Sequence, residues 1–225
     1  RTGLRAPLFV MSSFGFGKLL TPFMDEVDAL GVSMQFIPAL FGALLVFPVY
    51  FIGKTLFNKK AGLIAAFVLA IIPVHIGSGH GSAYSLFDHD SFNLLMFFLT
   101  FLFLIISIKT KDSKKSILYA LLGGIPLAGL SMVWVQAQFL YVIIAAYAVI
   151  QMIFDIFLNK IDLRVFRSPS IILLTGYIVS LPVIFSARGT FPLNITFFLS
   201  VGITAFGVIY YIFGAKKIPW TISLP

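Results

Sequence analysis

Cysteine is absent from the 225 residues, which excludes a disulfide framework and thiolate chemistry. Charge is scarce as well: charged residues make up 11%, and only 8 residues are acidic. A soluble domain carries about a quarter charged residues. No internal repeat and no low-complexity linker breaks the chain. What is abundant is apolar: hydrophobic residues reach 60% and aromatics 16%, with 26 Phe. Spread over the whole length, this composition excludes an ordinary soluble globule and indicates a polytopic membrane protein. The net charge of +8 would suggest nucleic acid in a soluble chain. In a membrane chain, basic loops orient the helices, so nucleic acid is not expected as a partner.

Seven apolar runs are long enough to span, near 33–53, 60–78, 91–108, 117–135, 137–158, 170–187 and 193–214. Runs of this length without alternation read as helices, and lipid admits only helices or closed barrels. The expected fold is therefore an all-α, polytopic helical bundle of about seven transmembrane helices over 33–225. Residues 1–32 are apolar but interrupted by "SSFGFGK" and "MDEVD", which predicts an external loop with a short interfacial or re-entrant piece. The chain begins with Arg1 and ends at "TISLP", and it reads as a piece of a longer polypeptide.

The cations alternate from turn to turn. Lys54, Lys59 and Lys60, then Lys109, Lys111, Lys114 and Lys115, then Lys160, Arg164 and Arg167, then Lys216 and Lys217 hold 12 of the 16 basic residues. The other side keeps Arg1, Arg5, Lys18 and Arg188, with Asp25, Glu26, Asp28, Asp88 and Asp90. Short basic loops stay cytoplasmic. The loop carrying Asp88 and Asp90 is thus expected outside, on the extracellular or periplasmic face of a plasma membrane.

Two of the few acids stand one residue apart in "FDHDSFN", where a long apolar run begins. A helix cap accounts for one aspartate, since Asp90 before "SFNLLMFF" suits an N-cap and the helix dipole. It leaves the second unexplained, and it leaves the small-residue approach "GSGHGSAYSLF" unexplained too. The functional alternative is a divalent-ion site, because paired carboxylates suit hard ions such as Mg²⁺ or Mn²⁺. Residues i and i+2 diverge on an ideal helix, so chelation needs a turn or extended geometry just before it. A lone Asp-x-Asp is weakly specific. At the outer mouth of a membrane helix it says more.

The segment "IPALFGALLVFPVYFIGKTLFNKKAGLIAAFVLAIIPVHIGSG", followed by "FDHDSFN", resembles the catalytic subunit of oligosaccharyltransferase, most closely its archaeal forms. The likeness covers residues 35–105 well and reaches more weakly to "SMVWVQAQF". It implies a GT-C-like glycosyltransferase that moves a glycan from a polyprenyl-(pyro)phosphate carrier to the Asn of Asn-x-Ser/Thr on an acceptor protein. By match to the family's second acidic motif, Asp88 and Asp90 would be catalytic and would ligate Mn²⁺ or Mg²⁺. The implied partners are a lipid-linked oligosaccharide donor, the acceptor protein and membrane lipids.

The same resemblance offers Trp134, Gln136 and Gln138 as contacts for the lipid phosphate, and His80, beside the place of a family Arg, and Arg188, the one external base after residue 18, are further candidates. The plain reading of these five is solvated loop or interfacial side chains. An Arg that many members place seven residues before the first aspartate is Gly81 here. "TISLP" has Leu224 where a later motif carries an acid. An upstream helix and a soluble C-terminal acceptor-binding domain are not visible, so these 225 residues alone are expected to be inactive. His89 is expected to turn away from the ion, His75 to pack at a helix end, and Asp155 to be interfacial. Asn194-Ile195-Thr196 forms a sequon too close to a span to serve as an acceptor. Three further readings stand beside the first: another GT-C transferase using polyprenyl-phosphate sugars, a transporter or channel, and a catalytically dead paralogue. The absence of a mid-membrane acid argues against a transporter.

Overall fold

The computed structural model describes residues 8–72, 87–158, 160–188 and 192–215, and within these every regular element is helical. The helices are α1 (Leu8–Leu20), α2 (Glu26–Leu56), α3 (Lys59–Ile71), α4 (Asp90–Lys109), α5 (Ser113–Ser131), α6 (Gln138–Phe157), α7 (Leu163–Arg188) and α8 (Ile195–Ala215). A 3₁₀ turn, Val135–Ala137, joins α5 to α6. His75, His80, Gly81, Lys216, Lys217 and "TISLP" lie outside the described residues.

Each of the seven apolar runs corresponds to one of the helices α2 to α8. Five of them, α2, α4, α6, α7 and α8, are long and apolar enough to cross a membrane. The other two fall short for local reasons. α3 is described for 13 residues only, to Ile71. α5 opens on "SKKS" and carries Gly123, Gly124 and Pro126, which dilute its apolar character. The first run starts earlier than 33. Asp25 caps α2, accepting from the Val27 N–H at 3.1 Å, and Glu26 and Asp28 occupy the first turn, where the helix dipole favours acids.

The core lies where α4, α5, α6, α7 and α8 meet. Leu104, Leu127, Leu130, Leu140, Tyr141, Ile144, Met152, Ile172, Leu173 and Tyr210 are all buried there. Asp155, expected at the interface, is instead buried at 6% exposure. Tyr210 Oη donates to its Oδ2 at 3.0 Å and Gln151 Nε2 to its Oδ1 at 2.9 Å. One donor comes from the preceding turn of α6 and the other from α8, so the carboxylate stays paired inside the bundle.

The basic turns gather at one end. Lys109 Nζ donates to the Thr55 carbonyl, Arg164 Nη1 to the Thr110 carbonyl at 3.5 Å, and Arg167 Nη1 to Ser113 Oγ at 2.8 Å. The α2–α3, α4–α5 and α6–α7 connections therefore share a face. α4 has 20 residues, about 30 Å at 1.5 Å per residue, which matches the hydrocarbon thickness. Asp90, at its start, sits at the opposite end of the bundle from Lys109.

Candidate metal centre

Phe87 and Asp88 lie outside regular structure, His89 is the N-cap residue of α4, and Asp90 is its first helical residue. Asp90 is therefore one position past the cap, and the cap residue His89 makes no side-chain capping bond. Capping does not account for the pair. The chain turns between the two aspartates, the geometry that lets residues i and i+2 converge.

The convergence includes the imidazole. Donor atoms of Asp88, His89 and Asp90 all lie within 4.8 Å of one another. His89 Nδ1 is 2.7 Å from Asp88 Oδ1, and the same oxygen accepts the His89 backbone N–H at 2.6 Å. The expectation that His89 turns away is thus overturned: the sequence does not specify its rotamer, and a backbone bond plus an imidazole contact pull the ring onto the carboxylate. Ligands held 2.0–2.6 Å from a hard cation are separated by at most about 4–5 Å. Two carboxylates and an imidazole at this spacing fit a divalent cation, and imidazole widens the choice toward Mn²⁺ or Zn²⁺.

Aromatic rings surround the pair. Phe9 of α1 lies 5.0 Å from Phe87, 6.5 Å from the His89 ring and 6.2 Å from Phe92. Phe41 of α2 meets Phe92 at 5.0 Å, edge to face. Val133, on the α5–α6 connection, packs into the same cluster. α1, α2, α4 and the turn that follows α5 therefore meet beside the acids. Asp88 and His89 keep side-chain exposures of 23% and 26%, open enough for a ligand to approach.

Among the other expected site residues, Trp134 is half-buried against the core, while Gln136 and Gln138 are exposed around the 3₁₀ turn. Arg188 ends α7, and its side chain is not described. Asn194 is occupied locally: its Oδ1 accepts from Thr196 Oγ1 at 2.6 Å and from the Phe197 N–H at 3.3 Å.

Residues 16–222 match the family model "Oligosaccharyl transferase STT3, N-terminal". The chain belongs to this family. A 46-residue segment is 44% identical to dolichyl-phosphooligosaccharide-protein glycotransferase 3 of Archaeoglobus fulgidus, covering 20% of this chain and 5% of that protein. The oligosaccharyltransferase of the same organism, crystallised with Zn and sulfate, superposes with a TM-score of 0.72 at 19% identity. That match covers 94% of this chain and 27% of the relative. The archaeal oligosaccharyltransferase AglB from Archaeoglobus fulgidus, in complex with an inhibitory peptide and a dolichol-phosphate, gives a TM-score of 0.71 at 20% identity, with 94% and 25% coverage. This STT3-family chain thus spans about a quarter of the length of those structures and shares their helical arrangement.

Proposed function

We infer that this chain is the membrane portion of an oligosaccharyltransferase. In this reading it serves transfer of a glycan from a polyprenyl-(pyro)phosphate carrier to the Asn of Asn-x-Ser/Thr in an acceptor protein. The observation that carries the reading is the Asp88–His89–Asp90 donor group at the end of the bundle opposite the basic turns. Asp88 and Asp90 would hold a divalent cation, Mn²⁺ or Mg²⁺, with His89 beside them. Such a cation supplies Lewis-acid neutralisation of charge on the departing phosphate.

The chain's own groups do the rest. The positive end of the α4 dipole favours a phosphate anion at the same place. Trp134, Gln136, Gln138 and Arg188 contact the carrier's phosphate or its surroundings, the amides donating and the guanidinium pairing. The acceptor amide is a weak nucleophile, so positioning and electrostatics must provide most of the acceleration. The described part of α1, 13 residues or about 20 Å, is shorter than a bilayer crossing. An external interfacial position suits it, because its exposed Val10, Met11 and Phe14 offer an apolar face to lipid headgroups. The acidic end faces the extracellular or periplasmic side of a multi-pass plasma-membrane protein. The related structures bound to a dolichol-phosphate, and to a tethered acceptor peptide containing the NVT sequon, support this choice of partners.

The test uses the intact polypeptide in detergent with lipid-linked glycan and an Asn-x-Thr peptide. Asp88→Asn and Asp90→Asn are expected to cut glycopeptide formation at least a hundredfold, and chelated wild type to recover on adding Mn²⁺. Full activity in both variants would reduce the pair to a local structural feature.

A further inference from the structure

Asn93 is 8% exposed, and its Oδ1 is buried with no hydrogen-bond partner among the described residues. A buried polar atom left unpaired costs about 1–3 kcal/mol. The described residues leave this oxygen open to a further partner, such as a bound ion or water. Asn93 stands three residues after Asp90, one turn along α4, and its N–H donates to the His89 carbonyl at 2.9 Å. Residues at i and i+3 share a helix face. Helical side chains also tilt toward the N-terminus and cover the preceding turn. The orphaned carboxamide therefore leans back toward the turn that carries His89 and Asp90.

The chemistry matches. Asp88, His89 and Asp90 provide three donors, whereas a small hard cation takes about six ligands. An amide carbonyl is an oxygen ligand of the same hard class as a carboxylate. It adds a dipole without a further negative charge, so a lipid phosphate can still approach. We propose that Asn93 is an additional ligand of the acidic centre, its Oδ1 joining Asp88 and Asp90 around a divalent cation directly or through one coordinated water. The proposal rests on reading Asp88 and Asp90 as a cation site, and it assigns a role to a residue outside the acidic motif.

The test is Mn²⁺ titration of the chelator-stripped, full-length protein in detergent, following free Mn²⁺ by electron paramagnetic resonance. Thermal unfolding in chelator is recorded in parallel. Asn93→Leu is expected to weaken Mn²⁺ binding about 10–100-fold, the usual effect of losing a supporting ligand. Its metal-free unfolding temperature should equal or exceed that of wild type, because the orphaned oxygen is gone. Asn93→Asp keeps the oxygen and should bind at least as tightly as wild type. Asn93→Ser repeats the comparison if the Leu variant does not fold. Mn²⁺ affinity unchanged in Asn93→Leu overturns the proposal, and so does equal loss in the Leu and Asp variants. Wild type that binds no Mn²⁺, or binds it as Asp88→Asn does, sinks the cation reading itself. That failure is distinct from one confined to Asn93.

Discussion

Inside an apolar bundle a single carboxylate needs dedicated donors, and Asp155 takes them from Tyr210 and Gln151. The same Tyr210 oxygen accepts the Asp162 N–H at 2.9 Å, so one phenol ties the end of α8 to the end of α6 and to the entry of α7. Tyr210→Phe removes the donor from Asp155 and the acceptor from Asp162 together. The expected loss is about 1–3 kcal/mol, read as a lower unfolding temperature in detergent. An unfolding temperature equal to wild type would show that the phenol contributes no net stability. Residue-level detail of this kind was the least legible in the sequence. Asp155 lies near a helix end and next to Lys160, which is the usual setting of an interfacial acid. What buries it is a tyrosine 55 residues away. The His89 ring is illegible in the sequence for a similar reason, since its direction depends on the turn between Asp88 and Asp90 and not on residue type. Asn93 carries no signal in the sequence, because an asparagine one turn into a helix reads as solvated. Only its burial, together with its unpaired oxygen, distinguishes it.

The helices were legible wherever apolar length decides the outcome, since 20 apolar residues without alternation leave a membrane chain few alternatives. They were not legible where polar residues begin a helix or glycines allow one to pack. "MDEVD" reads as a loop, yet it is the cap and first turn of α2. "SSFGFGK" reads as a break, yet α1 runs through it. Gly17 serves close packing there, because a Cβ at that position would lie 2.7 Å from Leu30 Cδ2. The α2–α3 hairpin depends on the same device. A Cβ on Gly62 would fall 2.5 Å from the Tyr50 carbonyl oxygen and 2.9 Å from the Lys54 nitrogen, both backbone atoms. No rotamer change relieves that clash, so the two helices must separate. Gly62→Ala is therefore expected to destabilise the protein by about 1–3 kcal/mol. Gly15→Ala, with nothing within 4 Å of the added methyl, should be neutral or slightly stabilising. Equal unfolding temperatures for the two variants would mean that the hairpin does not rely on close glycine contact.

At the scale of the whole molecule, two gradients run along the bundle. The basic turns share one end through Lys109, Arg164 and Arg167, and the Asp88–His89–Asp90 group occupies the other, about one bilayer away. Charge alternation in the sequence anticipated this separation. The fold supplies its cause, because helices of bilayer length must return alternate connections to the same face. Polarity of the bundle is not the same as orientation in a cell. The proposed orientation rests on the distribution of Lys and Arg, with the basic end expected to be cytoplasmic and the acidic end outside. The absence of cysteine allows a direct measurement, since any introduced thiol is the only one in these 225 residues. Lys111→Cys lies on the basic α4–α5 turn, Gln136→Cys on the 3₁₀ turn and Lys18→Cys near the end of α1, and all three positions are exposed. A membrane-impermeant maleimide applied to intact cells should label Gln136→Cys and Lys18→Cys and spare Lys111→Cys until the membrane is permeabilised. The reverse pattern would place the acidic pair on the cytoplasmic side. A lipid-linked donor displayed outside would then be out of its reach, and the proposed transfer reaction would lose its topological basis.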